Sequence, residues 1–175
     1  MAWLARVRSR LWGGMANSNA PVYRGDIIYS GQDEHGHLTV VQDATSRTLH
    51  FGSTARQSTM LMADPTRLAL SYTRCMVGGL LLAPPPCSAL VLGLGGGSLP
   101  KFLLHNFAEC RIDAVEMRAR VVAVARRYFA LPEDKRLALH VQKAERFLSR
   151  TDTGPYDWLL VDLYDRDGMA SVLDE

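Results

Sequence analysis

The feature that most constrains this chain is a glycine-rich segment between an apolar run and a helix-like stretch. Residues 90–100 read LVLGLGGGSLP, and Glu116 ends the next apolar run. Glycines permit a sharp turn and let a backbone approach a ligand where a Cβ would collide. A carboxylate at the end of the second strand can accept both hydroxyls of a ribose. This order of strand, glycine turn, helix, strand and acid predicts a nucleoside-binding α/β fold. We expect Gly93, Gly95, Gly97 and Glu116 to contact the nucleoside.

The second half of the chain alternates apolar runs with helical stretches. Four runs are predicted as strands, at residues 89–94, 111–116, 137–141 and 158–161. Such a βαβ succession builds a parallel sheet with helices on both faces, and ligands bind beyond the carboxyl ends of its strands. Because few residues follow Asp162, we expect a Rossmann-like sheet that is incomplete at its C-terminal side and belongs to a longer protein.

The first half of the chain has a different periodicity. Short runs at residues 26–30, 37–43 and 47–51, separated by turn residues, predict a small antiparallel β domain over 21–60. From Asp64 to Leu82, apolar residues at helical spacing predict one long helix capped by Asp64. The expected organisation is therefore a basic, disordered leader over 1–20, the β domain, and a Rossmann-like nucleoside-binding domain over 61–175.

Composition narrows the environment and the partners. With 47% hydrophobic and 22% charged residues, the chain is typical of a soluble globular protein. A net charge of +2 argues against nucleic acid or an anionic membrane as partner. The 3 cysteines are widely spaced, which favours neither a disulfide framework nor a metal site, and we expect a reducing cytoplasm. The arginine-rich leader leaves a membrane-touching or targeting segment as an alternative.

A set of specific segments extends from about Tyr29 to the C-terminus. They are Arg56-Gln57-Ser58, Tyr72-Thr73-Arg74, the glycine loop 93–98, Val115-Glu116, and residues 125–132 and 156–165. Together these segments resemble the spermidine synthase-like family, aminopropyltransferases built on an S-adenosylmethionine methyltransferase-type fold. The resemblance implies a β domain before the Rossmann-like domain, decarboxylated S-adenosylmethionine as donor, a small-molecule amine as acceptor, no metal, and a homodimer.

The resemblance also implies roles for individual residues. Asp162 matches the general base, and Asp165 matches a second acid that helps hold the amine. Gln57 and Glu116 match positions that contact the nucleoside portion of the donor, and Tyr72 matches a tyrosine at the amine pocket. The chemistry suits carboxylates, because an amine is protonated at neutral pH and a carboxylate can bind it and accept its proton.

Three departures from the family pattern keep other interpretations open. Gly96 stands where members usually have an aspartate, Lys143 where an acid contacts adenine, and Arg74 where an acid follows the tyrosine. The first interpretation is an aminopropyltransferase acting on an amine such as putrescine. The second is an S-adenosylmethionine-dependent methyltransferase, in which Lys101 would attract the donor's carboxylate. The third is a degenerate relative that binds a nucleoside without catalysis.

Overall fold

The computed structural model describes residues 21–150, 154–165 and 168–169, so the predicted leader lies outside the described residues. Its first unit is an antiparallel sheet in the order β1-β2-β3-β4. The strands are β1 (Asp26–Asp33), β2 (Gly36–Gln42), β3 (Ser46–His50) and β4 (Ser58–Leu61). The three predicted strands are present. Periodicity missed β4, because a run of 4 residues is too short to show an alternation.

The second unit is a parallel sheet in the order β7-β6-β5-β8. Its strands are β5 (Ser88–Leu92), β6 (Arg111–Glu116), β7 (Leu137–Val141) and β8 (Trp158–Val161). The connecting helices are α2 (Ser98–Asn106), α3 (Ala119–Tyr128) and α4 (Ala144–Leu148). The predicted α/β, Rossmann-like fold is confirmed. Strands β6 and β7 lie on one side of β5 and β8 lies on the other, so the strand order reverses between β5 and β8, where such sheets bind ligands.

The predicted helix from Asp64 to Leu82 is wrong. Helix α1 covers only Ser71–Val77, and a 3-10 helix follows at Gly78–Leu81. Asp64 caps a turn instead, since its carboxylate accepts the amide hydrogens of Thr66 and Arg67. The helical spacing also counted Leu82, which is 93% exposed and so contributes no buried helix face.

The two units share a core. Leu38, Val40 and Leu49 of the antiparallel sheet form one buried cluster with Val124 and Phe129 from α3 and its C-terminal end. The first sheet is therefore attached to the parallel unit through α3, beside the glycine loop.

The described residues contain no helix long and apolar enough to cross a membrane. The same residues include no group of three or more His, Cys, Asp or Glu side chains placed to hold a metal ion. Two short strands, β9 (Tyr164–Asp165) and β10 (Gly168–Met169), form a hairpin after β8.

Candidate active site

The glycine loop turns sharply at the carboxyl ends of the central strands. Gly93, Gly95 and Gly97 have φ angles of 91°, 51° and 73°, in the left-handed region that favours glycine. A Cβ on Gly93 would lie 2.1 Å from the carbonyl oxygen of Asp162. The Gly93 amide donates to the Val115 carbonyl at 2.8 Å. This glycine therefore lets the loop cross directly over the end of β8.

The inner side of the glycine loop is packed by the chain's own side chains. A Cβ on Gly96 would lie 2.8 Å from Phe129 Cδ1 and 2.8 Å from Ser58 Oγ. Phe129 is 0% exposed, so it has little room to move. The aspartate that the family resemblance implies at this position would not fit here without repacking Phe129. The departure at Gly96 thus has a steric cause in this chain.

Glu116 ties the glycine loop to the end of β6. It is 9% exposed, and its Oε2 accepts the Leu94 amide at 3.2 Å while its Oε1 accepts the Arg118 amide at 2.9 Å. Burial raises the pKa of Glu116, and the amide hydrogen bonds oppose that rise. The sequence predicted contact with a ribose, which stays a prediction. The structure adds a role that spacing did not indicate, the anchoring of the loop.

Gln57 and Ser58 bring the antiparallel sheet to the same loop. The backbone amide of Gln57 donates to the Leu49 carbonyl at 2.9 Å. The backbone carbonyl oxygen of Gln57 lies 3.8 Å from the Cβ position of Gly95. Ser58 Oγ lies 3.2 Å from Ser98 Oγ at the start of α2. The structure therefore places Gln57 beside the glycine loop, as its predicted role requires. The role itself stays a prediction.

Asp162 and Tyr72 meet on the other side of the loop. The Tyr72 hydroxyl donates to Asp162 Oδ2 at 3.1 Å, whereas Asp162 Oδ1 is buried and has no hydrogen-bond partner among the described residues. Burial raises the pKa of Asp162 to about 6, against the lowering effect of the Tyr72 hydrogen bond. Burial and the nearby carboxylate also raise the pKa of Tyr72, so its hydroxyl stays a donor. A carboxylate of this pKa suits proton transfer near neutral pH.

The short hairpin after β8 supplies the next residues. The Tyr164 ring centroid lies 6.1 Å from that of Tyr72. Asp165 is the second residue of β9, paired with Gly168. Its side chain lies outside the described part of the structure, so its role in holding an amine stays a prediction.

Two cations that the sequence placed near the site are engaged elsewhere. Arg74 Nη1 donates to the carbonyls of Leu68 and Ala69 at 3.1 and 2.8 Å. It is two positions from Tyr72, which puts the two side chains on different faces of α1. Lys101 is 3% exposed and donates to the Phe129 carbonyl at 2.7 Å, and burial lowers its pKa to about 8. Lys101 is therefore a structural cation that caps the end of α3. Lys143 is exposed, at the start of α4.

Sequence reasoning missed the ion pair between Arg118 and Asp33. Arg118 Nη2 and Nε donate to Asp33 Oδ1 and Oδ2 at 2.7 and 3.1 Å, and the two side chains are 7% and 9% exposed. The guanidinium also lies 4.6 Å from the centroid of the Phe51 ring. Burial favours a higher pKa for Asp33, but the bonds from Arg118 and the His35 amide hold the pKa below its usual range. No local spacing signals a pair so distant along the chain.

These features define a Rossmann-like unit with a nucleoside-type glycine loop and a partly buried acid at the switch point. No family model matches the chain. A polyamine aminopropyltransferase of Chromobacterium violaceum is 36% identical over 128 residues, which cover 73% of this chain and 49% of that protein. A polyamine aminopropyltransferase of Vibrio vulnificus is 30% identical over 144 residues, which cover 79% of this chain and 48% of that protein. An eEF1A lysine and N-terminal methyltransferase of Mus musculus is 33% identical over 114 residues, covering 59% and 16%.

Solved structures agree on the fold. Spermidine synthase from Thermotoga maritima superposes with a TM-score of 0.61 at 20% identity, covering 84% of this chain and 49% of that one. Human methyltransferase-like protein 13 in complex with SAH gives a TM-score of 0.51 at 30% identity, covering 55% and 49%. The predicted resemblance to the spermidine synthase-like family is confirmed. The chain spans about half the length of the polyamine aminopropyltransferases named above.

Proposed function

We propose that this chain carries the catalytic site of a spermidine synthase-like aminopropyltransferase, which transfers an aminopropyl group from decarboxylated S-adenosylmethionine to an amine such as putrescine. The observation that supports this most directly is the buried, unpartnered Oδ1 of Asp162 beside the glycine loop. Such an oxygen is a binding position for a cationic amine. The relatives named polyamine aminopropyltransferase support the same class of reaction.

The donor's nucleoside portion is assigned to Gln57, Glu116 and the glycine loop. Gly93 and Gly95 are partly exposed, which leaves their outer side accessible. The Glu116 carboxylate accepts the backbone amides of Leu94 and Arg118 and also interacts with that of Gly95, and a carboxylate has about four lone-pair sites for donors. The ribose hydroxyls can therefore bind without displacing the amides that anchor the loop.

The acceptor amine is assigned to Asp162. Above a pH of about 6, its carboxylate is ionised and binds the ammonium through Oδ1, while Tyr72 fixes the other oxygen. Asp162 then accepts the proton, and the neutral nitrogen attacks the aminopropyl carbon next to the sulfonium. The carbon–sulfur bond breaks, and its electron pair leaves with methylthioadenosine. We assign Asp165 to the amine's second nitrogen.

The transfer assay that tests the proposal compares Asp162→Asn with the wild type and with Asp64→Asn, which changes a carboxylate in a turn away from the site. We expect Asp162→Asn to lose about 100-fold or more of the transfer rate, as loss of a general base does. Its affinity for methylthioadenosine should stay within about twofold, since the amide preserves the shape of the site. Full transfer activity in Asp162→Asn would overturn the proposal.

One observation favours methyl transfer from intact S-adenosylmethionine as a second candidate. Phe129 and Ser58 fill the space at Gly96, so the loop provides no carboxylate for the ammonium of a decarboxylated donor. A second observation argues against methyl transfer. Lys101 and Arg74 both donate to backbone carbonyls, so neither is placed to bind the carboxylate of the intact donor. Transfer of a labelled methyl group to a protein amine, without aminopropyl transfer to putrescine, would establish this candidate.

The predicted homodimer and cytoplasmic location belong to the same proposal. Sedimentation equilibrium of the purified chain should show a dimer if the resemblance extends to assembly. A monomer would restrict the proposal to a single-chain site.

A further inference from the structure

Two cysteines lie next to each other at the amino-terminal edge of the parallel sheet. Ser88 pairs with Arg111 where β5 and β6 begin, and Cys87 and Cys110 come immediately before these residues. The Arg111 amide donates to the Cys87 carbonyl at 2.9 Å, so the backbone of Cys87 lies beside the start of β6, next to Cys110. Neighbouring chains in a sheet are about 4.8 Å apart. This spacing falls within the range of Cα separations that a disulfide spans.

Cys110 belongs to a buried cluster at this edge of the sheet. Ala89 and Ile112, each two residues after one of the cysteines, are paired and belong to the same cluster. Cys87 is exposed and immediately precedes β5. Burial raises the pKa of the Cys110 thiol, and the charge of the Cys87 thiolate raises that pKa further, as expected for neighbouring thiols.

The two thiols differ in accessibility. Both are free in this structure, with Cys87 exposed and Cys110 buried. Asp157 and Arg136 also act on Cys110, with the carboxylate raising the thiol pKa and the guanidinium lowering it. An exposed thiol can react with an oxidant in solution, whereas a buried one reacts only with a partner that is already adjacent.

We propose that Cys87 and Cys110 form a reversible intrachain disulfide when the chain meets a small disulfide oxidant such as oxidised glutathione. The Cys87 thiolate attacks one glutathione sulfur and releases the first glutathione thiolate. The Cys110 thiolate then attacks Cys87 Sγ, forms the Cys87–Cys110 bond and releases the second. The two protons lost by the cysteines are taken up by the two glutathione thiolates. Two cysteine thiols are oxidised and one glutathione disulfide is reduced.

The bridge would join the two strands that hold the site, at the end opposite to it. β5 leads into the glycine loop and β6 ends at Glu116, whereas the cysteines precede the first residues of both strands. In a reducing environment both thiols would stay reduced. Oxidation would cross-link the two strands without adding a group near Asp162. The expected consequence is a more stable parallel sheet with an unchanged ligand site.

The test uses the full chain with Cys75→Ser, which removes the other exposed thiol. After incubation with oxidised glutathione, alkylation and mass spectrometry should show both remaining thiols protected and no glutathione attached. Digestion should release one cross-linked peptide pair containing Cys87 and Cys110. Dithiothreitol should restore both thiols, and the oxidised form should melt several degrees higher than the reduced form.

The matched control is Cys75→Ser with Cys87→Ser, in which Cys110 should stay reduced and the melting temperature should not respond to the oxidant. A stable glutathione adduct on Cys87 with Cys110 still reduced would overturn the proposal. Dimers linked through Cys87 would overturn it as well. The wild-type chain, mapped by the same digestion, provides the result if the substitution at Cys75 impairs folding.

Discussion

The two sides of the glycine loop are built in different ways. On the side of α3, Phe129 is 0% exposed and packs against Gly96, while Ser58 from the antiparallel sheet closes the same space. On the side of β8, which is an outer strand among those described, Asp162 directly follows the strand and Leu159 within it is 52% exposed. Dense packing fixes the first side, whereas the second depends on a partly buried carboxylate with one hydrogen bond.

This difference separates the two tasks that the proposed reaction needs. A nucleoside is bound by shape and by backbone amides, which a densely packed loop keeps in place. An amine that must lose a proton needs a carboxylate whose pKa is near neutrality, and partial burial with few partners produces that. The contrast therefore predicts large losses of stability from changes on the α3 side and changes in titration from the β8 side.

The largest expected effect comes from Arg118→Met on the α3 side. The substitution leaves the Asp33 carboxylate buried without its partner, which should lower the free energy of unfolding by about 3 kcal/mol. Urea denaturation measures this. The control is Arg126→Met, because Arg126 is half exposed and only 4.0 Å from an exposed Glu133, and we expect a loss below about 0.5 kcal/mol. Equal losses in the two variants would contradict the account of the α3 side.

The next effect is the pH dependence of stability set by Asp162. Its pKa in the folded chain, about 6, lies above the ordinary value of 3.8. The folded state therefore favours the protonated form, and that stability is fully present below pH 3.8 and lost as pH rises through 6. Relative to Asp162→Asn, the wild type should lose about 2 to 3 kcal/mol between pH 4 and pH 7. A stability difference independent of pH would show that this carboxylate titrates normally.

A smaller effect is expected for Tyr72→Phe. The hydroxyl lowers the pKa of Asp162, so its removal should raise that pKa above about 6 and cost about 1 kcal/mol of stability at pH 7. The pH at which the wild type loses stability relative to Asp162→Asn should move upward in this background. Tyr23→Phe, in a tyrosine that packs on His50 away from the site, should leave that pH unchanged. If that pH does not rise in Tyr72→Phe, the Tyr72 hydroxyl does not lower the pKa of Asp162.

The smallest effect concerns the turn that places Phe129 and Leu131 against the glycine loop. Ala130 lies between them with a φ of 53°, a left-handed conformation that costs a non-glycine residue about 1 kcal/mol. Ala130→Gly should therefore raise the free energy of unfolding by roughly 0.5 kcal/mol. Ala123→Gly, at an exposed position inside α3, should lower it by about 1 kcal/mol. A change of the same sign in the free energy of unfolding of both variants would contradict the backbone strain assigned to Ala130.

The sequence predicts those features of the fold and the site that depend on residues close together along the chain. Strands β5 and β8 are mostly apolar runs, a pattern typical of parallel strands, and the glycines mark a turn that needs positive φ. Residues 64–82 were mispredicted because helical spacing does not reveal whether leucines such as Leu82 are buried. The Arg118–Asp33 pair and the packing of Phe129 on Gly96 join distant segments. Neither leaves a periodic signal, so only the folded chain reveals them.

The most direct test of the central claim is a calorimetric titration of the purified, folded chain with methylthioadenosine, decarboxylated S-adenosylmethionine and S-adenosylmethionine. We expect methylthioadenosine and the decarboxylated donor to bind, and the intact donor to bind more weakly. The reason is that Lys101 and Arg74 are held by backbone carbonyls and cannot meet its carboxylate. Tighter binding of S-adenosylmethionine, or no binding of any of the three by a folded chain, would contradict the account.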